Sequence, residues 1–150
     1  MKNKFKVLFL CTGNSCRSQM AEGWARYLAS DIIESYSAGV KPTVVNPYAI
    51  KAMKERGVDI SQQRSKHVSE LDGIMFDYVI TVCDNAKAQC PIFNAACKKM
   101  HVSFDDPPFI AAELSKQFKS YQEQFNVYLR VCDEIKIFIQ YFALFLRAQI

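Results

Sequence analysis

A cysteine and an arginine separated by five residues, Cys11 and Arg17, constrain the fold of this chain more than any other feature. A short apolar run, Phe5 to Leu10, precedes them, and a helical pattern from Ser18 to Ala29 follows, so the sequence predicts a strand, a loop and a helix. In such a loop, backbone N–H groups point inward and form an anion nest, and the helix adds its positive dipole end at the same place. The sequence therefore predicts a pocket for an oxyanion.

The side chains of this loop suit nucleophilic chemistry on an oxyanion. The Arg17 guanidinium is a planar fork that matches a tetrahedral oxyanion, and its field is expected to lower the pKa of the Cys11 thiol. We expect Gly13 to take backbone angles that other residues resist, and the Ser18 hydroxyl to donate to the thiolate. The predicted oxyanion-binding residues are Thr12, Gly13, Asn14, Ser15, Cys16, Arg17 and Ser18. The alternative is a buried cysteine between a strand and a helix, since short motifs match by chance.

Strand-like and helical patterns alternate along the chain, which predicts one α/β domain over residues 1–150. We expect three layers: a parallel sheet of about four strands with helices on both faces. The predicted strands are Lys6–Leu10, Ile32–Ala38, Tyr78–Val82 and Lys99–Phe104. An apolar stripe predicts one long helix over Glu113–Leu146, whose surplus of apolar residues belongs either to the core or to a partner surface.

Three loops that follow predicted strands carry the other reactive side chains. These loops begin at Cys11, Cys83 and Asp105, and the carboxyl ends of parallel strands meet at one edge of the sheet. An aspartate on a rigid loop beside an oxyanion pocket is a candidate general acid. Either Asp105 or Asp106 fits that role, and the alternative is that both begin a turn or cap the next segment.

The six cysteines do not have the close spacing of a zinc site, so we expect no metal. Cys83 and Cys90 lie on a loop predicted to face Cys11, and two further thiols there suggest a relay by thiol–disulfide exchange. Cys16, Cys97 and Cys132 are interpreted as packing residues. His67 and His101 show no clear partner in the sequence and are interpreted as structural or surface residues.

Charge and hydropathy limit the partners. The net charge is +4 without a block of Lys and Arg, which suits a small anionic substrate and gives no indication of nucleic acid. We expect no membrane partner and a cytoplasmic location, because the apolar stretches are too short for a bilayer span or a signal peptide.

The motif Cys11–Gly23 resembles the loop of the thioredoxin-coupled arsenate reductases that share the fold of the low-molecular-weight protein tyrosine phosphatases. Further matching segments occur along nearly the whole chain: Tyr36–Gly39, Asn46–Pro47, Asp59–Ser61, Cys83, Cys90–Pro91, Phe104–Pro107 and Arg130–Ile135. The loop alone identifies the superfamily, whereas the pair Cys83 and Cys90 selects the reductases.

The resemblance implies a mechanism for this chain. Cys11 attacks arsenate held by Arg17 and the loop amides, and Asp106, the aspartate directly before the proline, protonates the leaving oxygen. Cys83 then attacks Cys11 and releases arsenite, after which Cys90 attacks Cys83 and the new disulfide is reduced by thioredoxin. No cofactor is implied.

The resemblance also leaves alternatives. Some family members bind potassium through groups matching Asn14, Glu22 and Ser37 together with an acidic residue, but the last position here is Lys66. An ammonium group there would take the place of the cation, so we expect no potassium requirement. The alternative function is a tyrosine phosphatase that uses only Cys11, Arg17 and Asp106, and a third is a non-catalytic oxyanion-binding module.

Overall fold

The computed structural model describes residues 4–84 and 96–150. Four parallel strands form one sheet in the order β2-β1-β3-β4. The strands are β1 (Phe5–Cys11), β2 (Ile33–Gly39), β3 (Tyr78–Thr81) and β4 (Lys98–His101). The predicted fold class, an α/β domain on a four-stranded parallel sheet, is confirmed.

Helices connect and cover the strands. The α-helices of the described residues are α1 (Arg17–Ala29), α2 (Pro47–Glu55), α3 (Pro107–Lys116) and α4 (Tyr121–Arg147), and a short 3-10 helix spans Val68–Leu71. α1, α2 and α3 each pack against α4. The Trp24 indole in α1 donates a 3.1 Å hydrogen bond to the Cys132 carbonyl in α4, so these two helices are joined by a polar contact as well as by apolar packing. Within the connection between β3 and β4, residues 85–95 lie outside the described part.

The C-terminal region differs from the prediction of one long helix over Glu113–Leu146. The chain leaves the helix after Lys116, because Phe118 adopts a left-handed backbone with φ 58°. A new helix then begins at a capping box, in which Ser120 and Glu123 each satisfy the other's backbone N–H. The predicted strand Lys99–Phe104 also ends earlier, at His101.

The apolar stripe of α4 is confirmed as core. Its buried residues are Phe125, Val127, Tyr128, Val131, Cys132, Ile135, Ile139, Phe142, Ala143 and Leu146. Tyr121, at the start of the predicted stripe, is half exposed. No helix within residues 4–84 and 96–150 is long and apolar enough to cross a membrane.

Candidate active site

The loop between β1 and α1 is held from behind by hydrogen bonds to its carbonyl oxygens. An extended segment before α2 donates backbone N–H groups to three of them: Lys41 to Thr12 at 2.8 Å, Thr43 to Gly13 at 3.0 Å and Asn46 to Ser15 at 2.9 Å. Because a peptide carbonyl and the next N–H point in opposite directions, this anchoring turns the loop amides towards the other side, where an anion nest requires them.

Asn14 fixes the curvature of this loop. It has a left-handed backbone with φ 48° and is fully buried. Its side chain donates to the Ser18 hydroxyl at 2.8 Å and accepts from the Lys66 backbone N–H at 3.0 Å. The Gln19 side-chain amide donates to the Asn14 backbone carbonyl at 3.0 Å. Because Ser18 accepts that hydrogen bond, its own hydroxyl proton remains available, and its donation to the Cys11 thiolate stays a prediction.

The expectation that Gly13 supplies the unusual backbone angles is wrong, because Asn14 does so. Asparagine tolerates the left-handed region better than most residues, and the contacts of its side chain compensate for the strain. A glycine is required at Gly39, which pairs with Cys11 across the sheet. A Cβ atom at Gly39 would lie 2.6 Å from the Thr12 oxygen and 2.9 Å from the Asn14 nitrogen.

Most of the predicted site residues meet in one cavity of about 470 Å³ at the carboxyl edge of the sheet, whereas Asn14 and Ser18 are fully buried and do not line it. It is lined by Cys11, Thr12, Gly13, Ser15, Cys16, Arg17, Cys83, Asp84, Asp106 and Pro108. The structure thus brings together the three loops that sequence analysis placed on this edge. Cys90 lies outside the described residues.

Arg17 lies at the wall of the cavity, where its orientation is set by the loop after β4. Its Nη1 donates to the Phe104 carbonyl at 3.0 Å, and its Nη2 lies 3.6 Å from Asp106 Oδ2. No sequence pattern points to the Phe104 carbonyl, since any residue can supply a backbone oxygen. The guanidinium is mostly buried, so an oxyanion would meet it in an environment that screens charge weakly.

The structure separates the two candidate acids. Asp105 turns away from the cavity to pair with Arg130 at 3.1 Å, whereas Asp106 lines the cavity. Asp106 also occupies the N-cap position of α3, yet its side chain makes no capping hydrogen bond. The first two positions of that helix are prolines, Pro107 and Pro108, which carry no N–H for a cap. The Asp106 carboxyl is therefore available to the cavity.

The Cys11 and Cys83 thiols are in hydrogen-bond contact, and Thr12 Oγ1 lies 3.2 Å from Cys83 Sγ. The hydrogen bond to Cys83 and burial raise the pKa of Cys11, whereas the charge of Arg17 lowers it. The predicted lowering of the pKa of Cys11 is therefore wrong, because the prediction omitted Cys83 and the burial of the thiol. The two thiols thus act on each other inside the cavity, as a thiol–disulfide exchange between them would require.

The remaining described cysteines lie outside this pair. Each of the described cysteines is a free thiol: Cys11, Cys16, Cys83, Cys97 and Cys132. Burial raises the pKa of Cys16, and it raises that of Cys132 to about 11, so both resist ionisation, as expected of packing residues. Cys132 packs with its sulfur 3.3 Å from the Met53 sulfur.

Lys66 lies behind the loop, beside the groups that the resemblance associated with potassium. Its ammonium donates to the Ser37 carbonyl at 3.0 Å, and the Ser37 hydroxyl donates to Glu22 at 2.5 Å. Arg26 also pairs with Glu22. Within residues 4–84 and 96–150, no cluster of three His, Cys, Asp or Glu residues is arranged to hold a metal.

Residues 6–147 match the family of low molecular weight phosphotyrosine protein phosphatases. An arsenate reductase from Shouchella clausii (strain KSM-K16) is 46% identical over 139 residues, which cover 91% of this chain and 94% of that protein.

Solved structures give the same result. An arsenate reductase in the oxidized state has a TM-score of 0.75 and 29% identity, covering 97% of this chain and 99% of that chain. An arsenate reductase in the phosphate binding state has a TM-score of 0.72 and 28% identity, covering 95% and 98%. The resemblance noted from the loop and the cysteines is confirmed.

Proposed function

This chain belongs to the low molecular weight phosphotyrosine protein phosphatase family, and from that premise we propose that it is an arsenate reductase. The observation that carries the proposal is the contact between the thiols of Cys11 and Cys83 inside the oxyanion cavity. Hydrolysis of a phosphoester requires only one nucleophile, whereas reduction requires a second thiol that reaches the first. Relatives named arsenate reductase support the same conclusion.

The first step is attack on arsenic. Arsenate binds to the loop amides and Arg17, and the Cys11 thiolate forms a sulfur–arsenic bond. One arsenate oxygen takes protons, the last from Asp106, and leaves as water. Arg17 and the helix dipole offset the negative charge of the bound oxyanion, and the Cys11 proton passes to an arsenate oxygen as the sulfur attacks.

The second step transfers two electrons. The Cys83 sulfur attacks the Cys11 sulfur, so a disulfide forms while the sulfur–arsenic bond breaks and its electron pair reduces arsenic(V) to arsenic(III). Arsenite leaves, and the Cys83 proton passes to solvent. Cys90 then attacks Cys83, which returns Cys11 to the thiol and leaves a Cys83–Cys90 disulfide for thioredoxin to reduce.

The proposal is tested by arsenate-dependent NADPH oxidation in the presence of thioredoxin and thioredoxin reductase. We expect sustained turnover for the wild type, loss of turnover for Cys83→Ser and Cys90→Ser, and retained turnover for the matched control Cys97→Ser, whose thiol does not line the cavity. Efficient hydrolysis of p-nitrophenyl phosphate without arsenate turnover in the wild type would instead establish a phosphatase.

A further inference from the structure

A chain of three side chains crosses the edge of the sheet beside Cys83. Thr81 Oγ1 lies 2.7 Å from His101 Nδ1, and His101 Nε2 lies 2.9 Å from Asp84 Oδ1. Thr81 and His101 are partners at the ends of β3 and β4, whereas Asp84 directly follows Cys83. Interpretation of His101 as a residue without a clear partner is therefore wrong.

The chain is satisfied by a neutral imidazole. The Thr81 hydroxyl lies 3.4 Å from the Met100 carbonyl and nearer to His101 Nδ1. When its proton is donated to Nδ1, the ring proton lies on Nε2 and is donated to the Asp84 carboxylate. Each contact then has one donor and one acceptor, and the ring has a single orientation. His101 thus connects the last residue of a buried strand to the residue after Cys83.

Cys83 lies between two attachments. On one side, Val82 donates its N–H to the Leu10 carbonyl at 3.0 Å, which ties it to β1. On the other side, the Asp84 side chain is tied to His101. Asp84 is 84% exposed, and an exposed ion pair adds little to global stability. The contact with His101 therefore acts on local geometry rather than on the stability of the fold.

We propose that His101 is a positioning residue for thiol exchange: through Asp84 it holds Cys83 in the orientation from which its sulfur attacks Cys11. This inference rests on the proposed arsenate reduction. Exchange needs the attacking sulfur in line with the bond it breaks, and a misplacement of about 1 Å lowers such rates by up to about 100-fold. Hydrolysis of a phosphoester does not use Cys83 and does not need this alignment.

The test uses a Cys90→Ser parent, in which the relay stops at the Cys11–Cys83 disulfide. Arsenate is added, the reaction is quenched with acid, and disulfide formation is followed over time by mass spectrometry of alkylated peptides. We expect His101→Ala and Asp84→Ala each to slow formation by about tenfold. Asp84→Asn retains an acceptor for the ring proton, so its rate should stay near that of the parent. Because both residues act in one chain, the double variant should be no slower than either single variant.

The matched control is His67→Ala, which removes the other histidine of the chain, a cap of the 3-10 helix. Its exchange rate should equal that of the parent. If the parent forms no disulfide with arsenate, arsenate reduction itself fails. If the parent forms it and His101→Ala does so equally fast, the positioning role is overturned. It is also overturned if His101→Ala slows p-nitrophenyl phosphate hydrolysis to the same degree.

Discussion

Thr12 Oγ1 lies 3.2 Å from Cys83 Sγ, so a hydroxyl of the oxyanion loop contacts the thiol that is proposed to resolve the adduct. The oxyanion loop and Cys83 are therefore held next to each other. The contact orients the Cys83 sulfur relative to the loop.

Replacing Thr12 should affect exchange more than binding. We expect Thr12→Val to slow Cys11–Cys83 disulfide formation several-fold, because it keeps the shape of the side chain and removes the hydroxyl. Thr12→Ser keeps the hydroxyl and should retain most of the rate. The rate of arsenite release in a single turnover is measured for both variants. Equal rates would show that the hydroxyl does not contribute to the exchange.

Asp106 and Asp105 should differ sharply when each is replaced. Asp106→Asn removes the acid that faces the cavity and should lower kcat for p-nitrophenyl phosphate about 10²- to 10⁴-fold. Asp105→Asn loses only an exposed pair with Arg130 and should change kcat less than about threefold. The pH dependence of kcat for both variants is the measurement. A larger loss of kcat in Asp105→Asn than in Asp106→Asn would identify Asp105 as the general acid.

Two glycines allow the loop to be tested apart from global stability. Gly39→Ala should weaken phosphate binding strongly, since its Cβ atom would press on the backbone of Thr12 and Asn14. Gly57→Ala meets no atom within 4 Å but has φ 86°, so it should destabilise the fold by about 1 kcal/mol and leave phosphate binding unchanged. Calorimetric titration with phosphate and urea unfolding distinguish the two effects. Unchanged affinity in Gly39→Ala would contradict the close approach.

Lys66 makes stability depend on pH. Burial lowers its pKa from the ordinary value of 10.5, with Glu22 acting in the opposite direction. Between the lowered pKa and 10.5 the unfolded chain binds more protons at this lysine, so its contribution to stability rises with pH. The free energy of unfolding of the wild type, relative to Lys66→Met, should therefore increase as pH approaches 10.5. Urea unfolding at a series of pH values checks this, and a constant or decreasing difference would rule it out.

The ammonium of Lys66 also bears on potassium. Since it already donates to the Ser37 carbonyl behind the loop, we expect equal activity and equal Tm in potassium and sodium buffers of the same ionic strength. A rise in Tm that is specific to potassium would contradict this expectation. The same comparison on a variant that changes only an exposed lysine, Lys116→Met, controls for general effects of charge.

Much of this architecture is encoded locally and was predictable. Three features depend only on residues close in sequence: the apolar strands, the helix cap at Asn46 followed by Pro47, and the spacing of Cys11 and Arg17. The cavity followed from strand order, because loops after parallel strands share an edge.

The errors arose where non-local contacts or subtle turn signals decide the outcome. The break before α4 was missed because the apolar period continues across it, although Ser120 and Glu123 carry a capping signature. The raised pKa of Cys11 depends on Cys83, which is distant in sequence. The role of Asn14 rather than Gly13 in the loop depends on Ser18 and Lys66, which hold the asparagine side chain.

The oxyanion loop follows β1, whereas the second thiol follows β3. In the proposed mechanism, oxyanion binding and electron supply are therefore carried by separate segments of the chain, which follow neighbouring strands and touch through Thr12 and Cys83. Such a division allows one to be altered without rebuilding the other: a hydrolase of this fold would need thiols on a neighbouring loop, not a new pocket, to acquire a two-electron reaction. The same sheet can therefore support either reaction, depending on the side chains of the loop after β3.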